Sequence, residues 1–506
     1  MPDEKNDQTK NKNIKQSERE SANQANATNE ANATNETETN ATNETNKIIN
    51  EAETNATNQT TTNNMNKNIR NLSLFAITWP ILIEVFLHMA LKFSDTFMLS
   101  FVSDEAVAAI GVVNQLMMFM FILFNFTAMG CGVVVSQFFG ADKPRDVSRT
   151  IANATTINLI FGIIVSAIVV IFRAPLLAIF NLEPALMEYA DIYMIIVGST
   201  LFTQAMILTT FSALQAQGFT KDVMYISLGM NVLNIFGNYV FIFGALGFPE
   251  LGVTGVAIAT AASRALAMIA GFVLIYRRTE VRIKIKHYIE LKADYVKKML
   301  NIGIPGAGEN LSYNASQIVI TALVTLLGTT ALATRIYTNN YMMVMTVFSV
   351  AMAKGIQIYI GQLVGAGMLE HAYKRMYRGL KVAMAVSVAA GAVLAIFPEF
   401  FLGIFTDDAE IIAIGGTLLL IGVLLEPGRT TNLVVISSLR AAGDARFPVI
   451  VGIFSMWGIG VLLSYVLGIH LGYGLIGVWI ARLADEWFRA IFMILRWRSR
   501  KWQRML

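Results

Sequence analysis

Pro80-Ile-Leu-Ile-Glu84 and, 225 positions later, Pro305-Gly-Ala-Gly-Glu309 decide the fold of this chain. Each sets a Pro and a Glu about one helical turn apart in a mostly apolar run. At the same offset Thr96 falls on Thr321, Asn114 on Asn339, and Met117, Met118 and Met120 on Met342, Met343 and Met345. Gly130 falls on Gly355, and Gln137, Gly140 and Ala141 fall on Gln362, Gly365 and Ala366. The register runs without a gap from Pro80 to Ala141. Further on it still pairs Phe172 with Phe397, Phe180 with Phe405, Leu214 with Leu439 and Gly218 with Gly443. Agreement at one fixed offset over this length marks a duplicated unit.

That unit is apolar. Of 506 residues, 55% are hydrophobic and 15% charged, against about a quarter charged in globular domains. Successive apolar stretches of 20 or more residues can each cross a hydrocarbon core of about 30 Å. They predict about twelve transmembrane helices at 72–101, 106–138, 148–172, 187–215, 221–246, 252–277, 295–327, 331–364, 375–397, 409–440, 446–469 and 473–497. Six per half is an even number, so the two repeats enter from the same side. They are then parallel, related by a pseudo-two-fold axis along the membrane normal, with substrate bound between them near the midplane.

Orientation follows from the loops. Lys143, Arg145, Arg149, Lys221, Lys374, Arg375, Arg378 and Arg446 sit in alternate connections, with a dense run from Arg277 to Lys298 and another from Arg496 to Lys501. Apart from Arg173, the intervening loops lack positive charge, and 103–105, 181–188 and 406–410 are acidic. The positive-inside rule predicts a multi-pass protein of the cytoplasmic (cell) membrane with both termini cytoplasmic. The expected organisation is a disordered, low-complexity cytoplasmic tail (1–67), an N-terminal six-helix lobe (68–277) and a basic cytoplasmic linker (278–294). A C-terminal six-helix lobe (295–497) and a basic cytoplasmic tail (498–506) follow. The N-terminal tail repeats Asn-Ala-Thr-Asn-Glu-Thr variants with almost no aliphatic side chain, hence the expectation of disorder. Its Asn-X-Thr sequons are read as a by-product of that composition.

A carboxylate in the bilayer centre costs roughly 2.5 kcal/mol or more and normally faces a cavity or a partner. Glu84, His88 and Asp95 fall on one face of the first helix. They suggest a cation or proton site, with Lys92, three residues before Asp95, as a possible static partner. Pro80 and Pro305 remove a backbone hydrogen bond and are expected to bend their helices. Glu309 has no basic residue within a turn and stands among small residues, which makes it a coupling candidate. Glu426 and Arg429 look like an internal ion pair, with Arg335 and Lys354 as further possible partners for acids. Asn231, Asn234 and Asn238 recur at helical spacing, with Thr260 in the next span. Beside Asp95 these oxygens would suit a hard monovalent cation, so a sodium site at Asp95, Asn234, Asn238 and Thr260 is a candidate. The methionine runs at 117–120 and 342–345 are read as packing first and as cavity lining second.

A formal charge of +4 is too small to indicate nucleic acid. One cysteine, Cys131, excludes an intrachain disulfide, and the four histidines lack metal-ligand spacing. No nucleophile motif, Walker sequence or metal cluster is present. No enzymatic activity and no cofactor are expected, and the energy source would be an ion gradient, sodium or proton.

From about residue 70 onward the chain resembles the multidrug and toxic compound extrusion (MATE) family. The resemblance rests on Trp79-Pro-Ile-Leu-Ile-Glu84, Asp95-Thr96, Val107-Ala-Ala-Ile-Gly111, Gln137-Phe-Phe-Gly-Ala141, Gly252-Val-Thr-Gly-Val-Ala-Ile-Ala-Thr260 and Leu439-Arg-Ala-Ala-Gly-Asp444. It implies an all-α, V-shaped pair of six-helix lobes that exports small amphipathic organic cations in exchange for sodium or protons. Asp95 matches the family's first-helix acid, Pro80 its bending proline, Asn234 and Thr260 the polar partners of the N-lobe site, and Glu309 the seventh-helix acid. Asn238 stands where many relatives carry Asp, and Lys92 where Asn is frequent; both departures shift weight toward Glu309. The remaining site candidates are Glu84 and Glu426. Small organic cations and membrane lipid are the expected partners, with a monomer as the expected state. The competing readings are a flippase for a lipid-linked oligosaccharide, for which a more basic central cavity is expected, and a non-transporting membrane protein.

Overall fold

The computed structural model describes residues 16–17, 19–26, 73–280 and 283–505. The chain divides into two units, Met1–Arg70 and Asn71–Leu506. In the first unit the described residues are helical and exposed. Those residues include Gln16, Arg19, Glu20, Ala22 and Ala25, types that favour a helix. The Asn/Thr repeats and their sequons lie outside the described residues.

The second unit is a bundle of long helices. They are α1 (Leu74–Leu99), α2 (Asp104–Gly140), α3 (Pro144–Ile171), α4 (Pro184–Ser199 and Leu201–Ala216), α5 (Thr220–Ile242) and α6 (Gly252–Arg278). The second half continues with α7 (Ala293–Thr325), α8 (Thr329–Gly365), α9 (Leu369–Ile396), α10 (Ala409–Ala441), α11 (Arg446–His470) and α12 (Gly474–Arg498). Among the described residues nine are long and apolar enough to span a membrane, and the two segments of α4, bent by 46°, make a tenth span. The remaining two, α7 and α12, have the length, 33 and 25 residues, but carry more polar side chains. The long helices thus number twelve among the described residues, ten of them apolar enough to cross a membrane.

Sequence cues explain the ends. Ser103 caps α2 by accepting the Ala106 amide at 3.1 Å, with Asp104 and Glu105 in the first turn, and Asp408 caps α10. Pro144 and Pro184 open α3 and α4. The bend in α4 falls at Thr200, whose hydroxyl bonds back to the Ile196 and Val197 carbonyls. Gly218 and Gly443, repeat equivalents at φ +94° and +85°, end α4 and α10 in a conformation that favours glycine.

The duplication is visible element by element. α2 and α8 are both 37 residues, α3 and α9 both 28, and each begins 225 positions after its counterpart. Short helices Arg173–Ala178 and Pro398–Gly403 keep the same offset, as do the outer bounds of α4 and α10. α11 departs from α5 by widening into π turns over Met456–Val461 and Ser464–His470.

The lobes join at one end. Near the acidic loops each lobe has its own core: one is built on Leu99, Val113, Phe124 and Tyr193, the other on Ile320, Leu418, Leu425 and Trp479. Toward the basic loops a single core mixes Cys131, Val134 and Leu214 of the first lobe with Met299, Ile302 and Ala445 of the second. There α7 packs on α2, and α8 on α1 and α2. Gly140 faces the Gln362 carbonyl and Gly365 the Gln137 carbonyl with no room for a Cβ. Gln137 donates to the Ala441 carbonyl at 2.7 Å, and its equivalent Gln362 donates to the Ala216 carbonyl at 2.9 Å. Each such bond contributes about 1 kcal/mol net. Gln137→Ala should therefore loosen this end about fivefold, and Gln137→Ala with Gln362→Ala roughly thirtyfold. The check is the alkylation rate of a cysteine placed at Ala141 in a Cys131→Ser background.

Two peripheral segments add detail. The linker after α6 contains a short helix, Ile285–Ile289, and Arg278 pairs with Asp222 at 3.0 Å. In the C-terminal segment Trp502 is fully buried and stacks on Trp497 at 4.4 Å, and Arg500 pairs with Glu370 at 2.8 Å. Arg173, the cation among the acidic loops, is held by Asp191 at 2.7 Å.

Candidate coupling and substrate sites

Asp95 lies one turn from the end of α1. Asn238 of α5 donates to its Oδ1 at 2.9 Å. Asn238 also reaches Asn234 Oδ1 at 3.3 Å, and Asn234 donates to Thr260 Oγ1 of α6 at 3.2 Å. The three predicted partners of Asp95 therefore converge with it, each wholly or almost wholly buried. Helical spacing puts Asn231, Asn234 and Asn238 on one face of α5. The amide oxygens of Asn231 and Asn238 have no hydrogen-bond partner among the described residues. A carboxylate beside a buried amide and hydroxyl offers the oxygen ligands that a hard monovalent cation takes. Asn238→Leu should cost roughly 1–3 kcal/mol, because it strands the Asp95 carboxylate; detergent-phase unfolding measures it.

Lys92 does not neutralise Asp95. No ion pair joins them among the described residues, and Lys92 is exposed. Three residues apart is near enough in angle, but a lysine in a span extends its ammonium toward water. Arg264 of α6, unremarked in the sequence, lies within electrostatic reach of Asp95 and sits over the Phe121 ring at 5.5 Å. Glu84 is a separate station, about 16 Å along α1. It is buried and accepts a hydrogen bond from Gln215 of α4. Pro80 and Pro305 both lie inside their helices.

In the C-lobe the expectation that Glu309 stands unpaired is overturned. Arg440 of α10 bonds its Oε2 at 2.5 Å. The partner is 131 residues away, so no local window could show it. Glu426 and Arg429 do pair, at 2.7 Å, and the pair extends into a network. Arg429 reaches Glu486 at 3.4 Å, and Arg489 reaches Glu486 at 3.1 Å and Asp485 at 2.8 Å. Asn432 donates to Glu486 Oε2 at 2.8 Å. Arg482, Asp485, Glu486 and Arg489 share one face of α12, a signal legible in the sequence as four charges at i, i+3, i+4 and i+7 in a membrane span. Beside the network a cavity of about 430 Å³ opens, lined in part by Glu309, Tyr313, Met342, Met343, Arg429 and Arg482. Met342 also belongs to the C-lobe core, as its repeat equivalent Met117 does to the N-lobe core.

The sequence pattern of the MatE family matches twice, over residues 80–240 and 305–466. The chain belongs to the MatE family. Both MatE matches begin at the paired prolines, Pro80 and Pro305, and each covers five of its lobe's six helices in whole or part. Among MatE relatives, the uncharacterized transporter YisQ of Bacillus subtilis (strain 168) is 42% identical over 86% of this chain and 95% of its own length. The probable multidrug resistance protein NorM of Thermotoga maritima is 28% identical over 85% of this chain and 93% of its own. A crystal structure of a MATE protein in the bent conformation shares the fold, with a TM-score of 0.78 at 20% identity over 85% of this chain and 96% of that one. The chain is an all-α, two-lobed, multi-pass membrane transporter of the MatE family.

Proposed function

We propose that the protein exports small amphipathic organic cations across the cytoplasmic membrane in exchange for sodium or protons, by alternating access between its lobes. The observation that carries this reading is Asp95, a membrane-embedded carboxylate held by an amide and with no ion-pair partner among the described residues. Such an acid can take up and release a cation; an acid locked to an arginine resists exchange. Likeness to proteins named as multidrug resistance proteins supports small compounds as cargo. With the basic loops in the cytoplasm, the sealed end of the bundle faces inward and the conformation is outward-facing.

Everted membrane vesicles containing the protein, given a fluorescent organic cation, test the reading. Imposing a sodium or proton gradient with the higher concentration in the lumen, the former cell exterior, should drive the dye into the lumen. Dye movement indifferent to both gradients would overturn the coupling, and no movement at all would overturn export. Comparison of the two gradients identifies the ion.

A further inference from the structure

The C-lobe cavity holds more positive than negative charge. Arg429, Arg482 and Arg489 line it with Glu309 and Glu486, three guanidinium groups against two carboxylates, and Arg440, Glu426 and Asp485 join them through ion pairs. All four carboxylates are engaged: Glu309 by Arg440, Glu426 by Arg429, and Asp485 and Glu486 by Arg489. Arg335 and Arg482 form no ion pair within 4.0 Å among the described residues. Arg482 rests over Trp479 at 5.6 Å and donates to Asn339 Oδ1 at 2.9 Å. Arg335, one turn before Asn339 on α8, is close enough to Arg482 for the two charges to repel.

Buried guanidinium nitrogens are also left without acceptors. Arg429 lines the cavity at 7% exposure, and its Nη2 has no hydrogen-bond partner among the described residues. Arg335, which is not on the cavity wall, also has an Nη1 without a partner among the described residues. A buried donor left unmade is costly, and a buried unpaired charge more so. An arriving oxyanion would neutralise the surplus charge, and Arg482, on the cavity wall with no ion-pair partner among the described residues, is placed to meet it. Guanidinium is the side chain whose planar fork suits a carboxylate. Around it Asn310 and Gln317 offer amides, while Met343, Leu433 and Met456 offer adaptable apolar surface. At about 430 Å³ the cavity lies in the size range of small-molecule sites.

We propose that this cavity is an oxyanion site, in which Arg482 grips the carboxylate of an amphipathic zwitterion. The preferred cargo then carries an anionic group beside its cationic one. The assignment rests on the export reading above for its physiological meaning, but binding alone can test it.

Rhodamine 110 has a free carboxyl, and rhodamine 123 is its methyl ester, so the pair differs in the charge at issue. In everted vesicles the ratio of kcat/KM, rhodamine 110 over rhodamine 123, is expected to be about tenfold or more, the worth of a charge-assisted hydrogen bond. Arg482→Gln should bring that ratio near one. Arg482→Lys, which keeps the charge and loses the fork, should leave it between the two. Fluorescence anisotropy of the full chain in detergent supplies the same ratio as dissociation constants. A wild-type ratio of one, or a ratio unmoved by both variants, overturns the oxyanion site. Failure of both dyes to move in vesicles, with the binding ratio and its loss intact, overturns the export reading and leaves the site standing. Should Arg482→Gln not fold, the lysine variant decides between the two outcomes.

Discussion

Asp95→Asn is expected to abolish gradient-driven accumulation of a fluorescent cation in everted vesicles while leaving the fold intact. Asparagine has the size of aspartate, and its carbonyl oxygen can still accept the Asn238 amide that now reaches Oδ1 at 2.9 Å. What it lacks is the charge that would bind and release the coupling ion. In a one-for-one exchange of monovalent cations a tenfold gradient of the coupling ion, about 1.4 kcal/mol, sustains roughly a tenfold dye ratio. In the variant that ratio should fall to about one, with dye equilibrating rather than accumulating. Full accumulation by Asp95→Asn would remove the N-lobe acid from the coupling scheme and turn attention to Glu84, buried beside Gln215.

Arg440→Met should be the most destabilising single change among the charged residues of the C-lobe. It leaves Glu309 buried without the guanidinium that now lies at 2.5 Å. Breaking one side of a buried pair costs roughly 3–5 kcal/mol, because the remaining charge is uncompensated. Adding Glu309→Gln to the same variant should recover much of that loss, since replacing both partners removes the stranded charge. Equilibrium unfolding in mixed micelles of graded SDS content reads both values. If Arg440→Met were as stable as the parent, Glu309 would have another counter-charge and the pair would be incidental.

These two predictions show where sequence reasoning reached and where it stopped. The twelve long helices, the six-plus-six duplication and the convergence of Asn234, Asn238 and Thr260 on Asp95 were legible, because each follows from a period or a fixed offset. Apolar run length locates a span, and the helical repeat places amides on one face. The pairing of Glu309 with Arg440 was not legible. It joins two helices through a contact that neither helix's own pattern records. Glu84 with Gln215 is hidden for the same reason. Lys92 misled because angular proximity on a helix says nothing of where a long, flexible ammonium will reach. The charged face of α12 was legible and passed over: Arg482, Asp485, Glu486 and Arg489 announce an intramembrane cluster by spacing alone. Their partners Arg429 and Asn432 on α10 are again a matter of tertiary packing.

The crossed glutamine contacts at the sealed end have a consequence for origin. Gln137 reaches the carbonyl of Ala441, and its equivalent Gln362 reaches that of Ala216, the equivalent of Ala441. Residue i meets j, and the copy of i meets the copy of j: this is the signature of an isologous interface between identical subunits. A single six-helix half thus carries both surfaces of a self-complementary dimer. Before the genes fused, such a half could have assembled with itself through this contact, and its side-by-side orientation required no inversion in the membrane. Away from the shared seam the two copies differ, one holding an acid with no ion-pair contact among the described residues and the other gathering arginines.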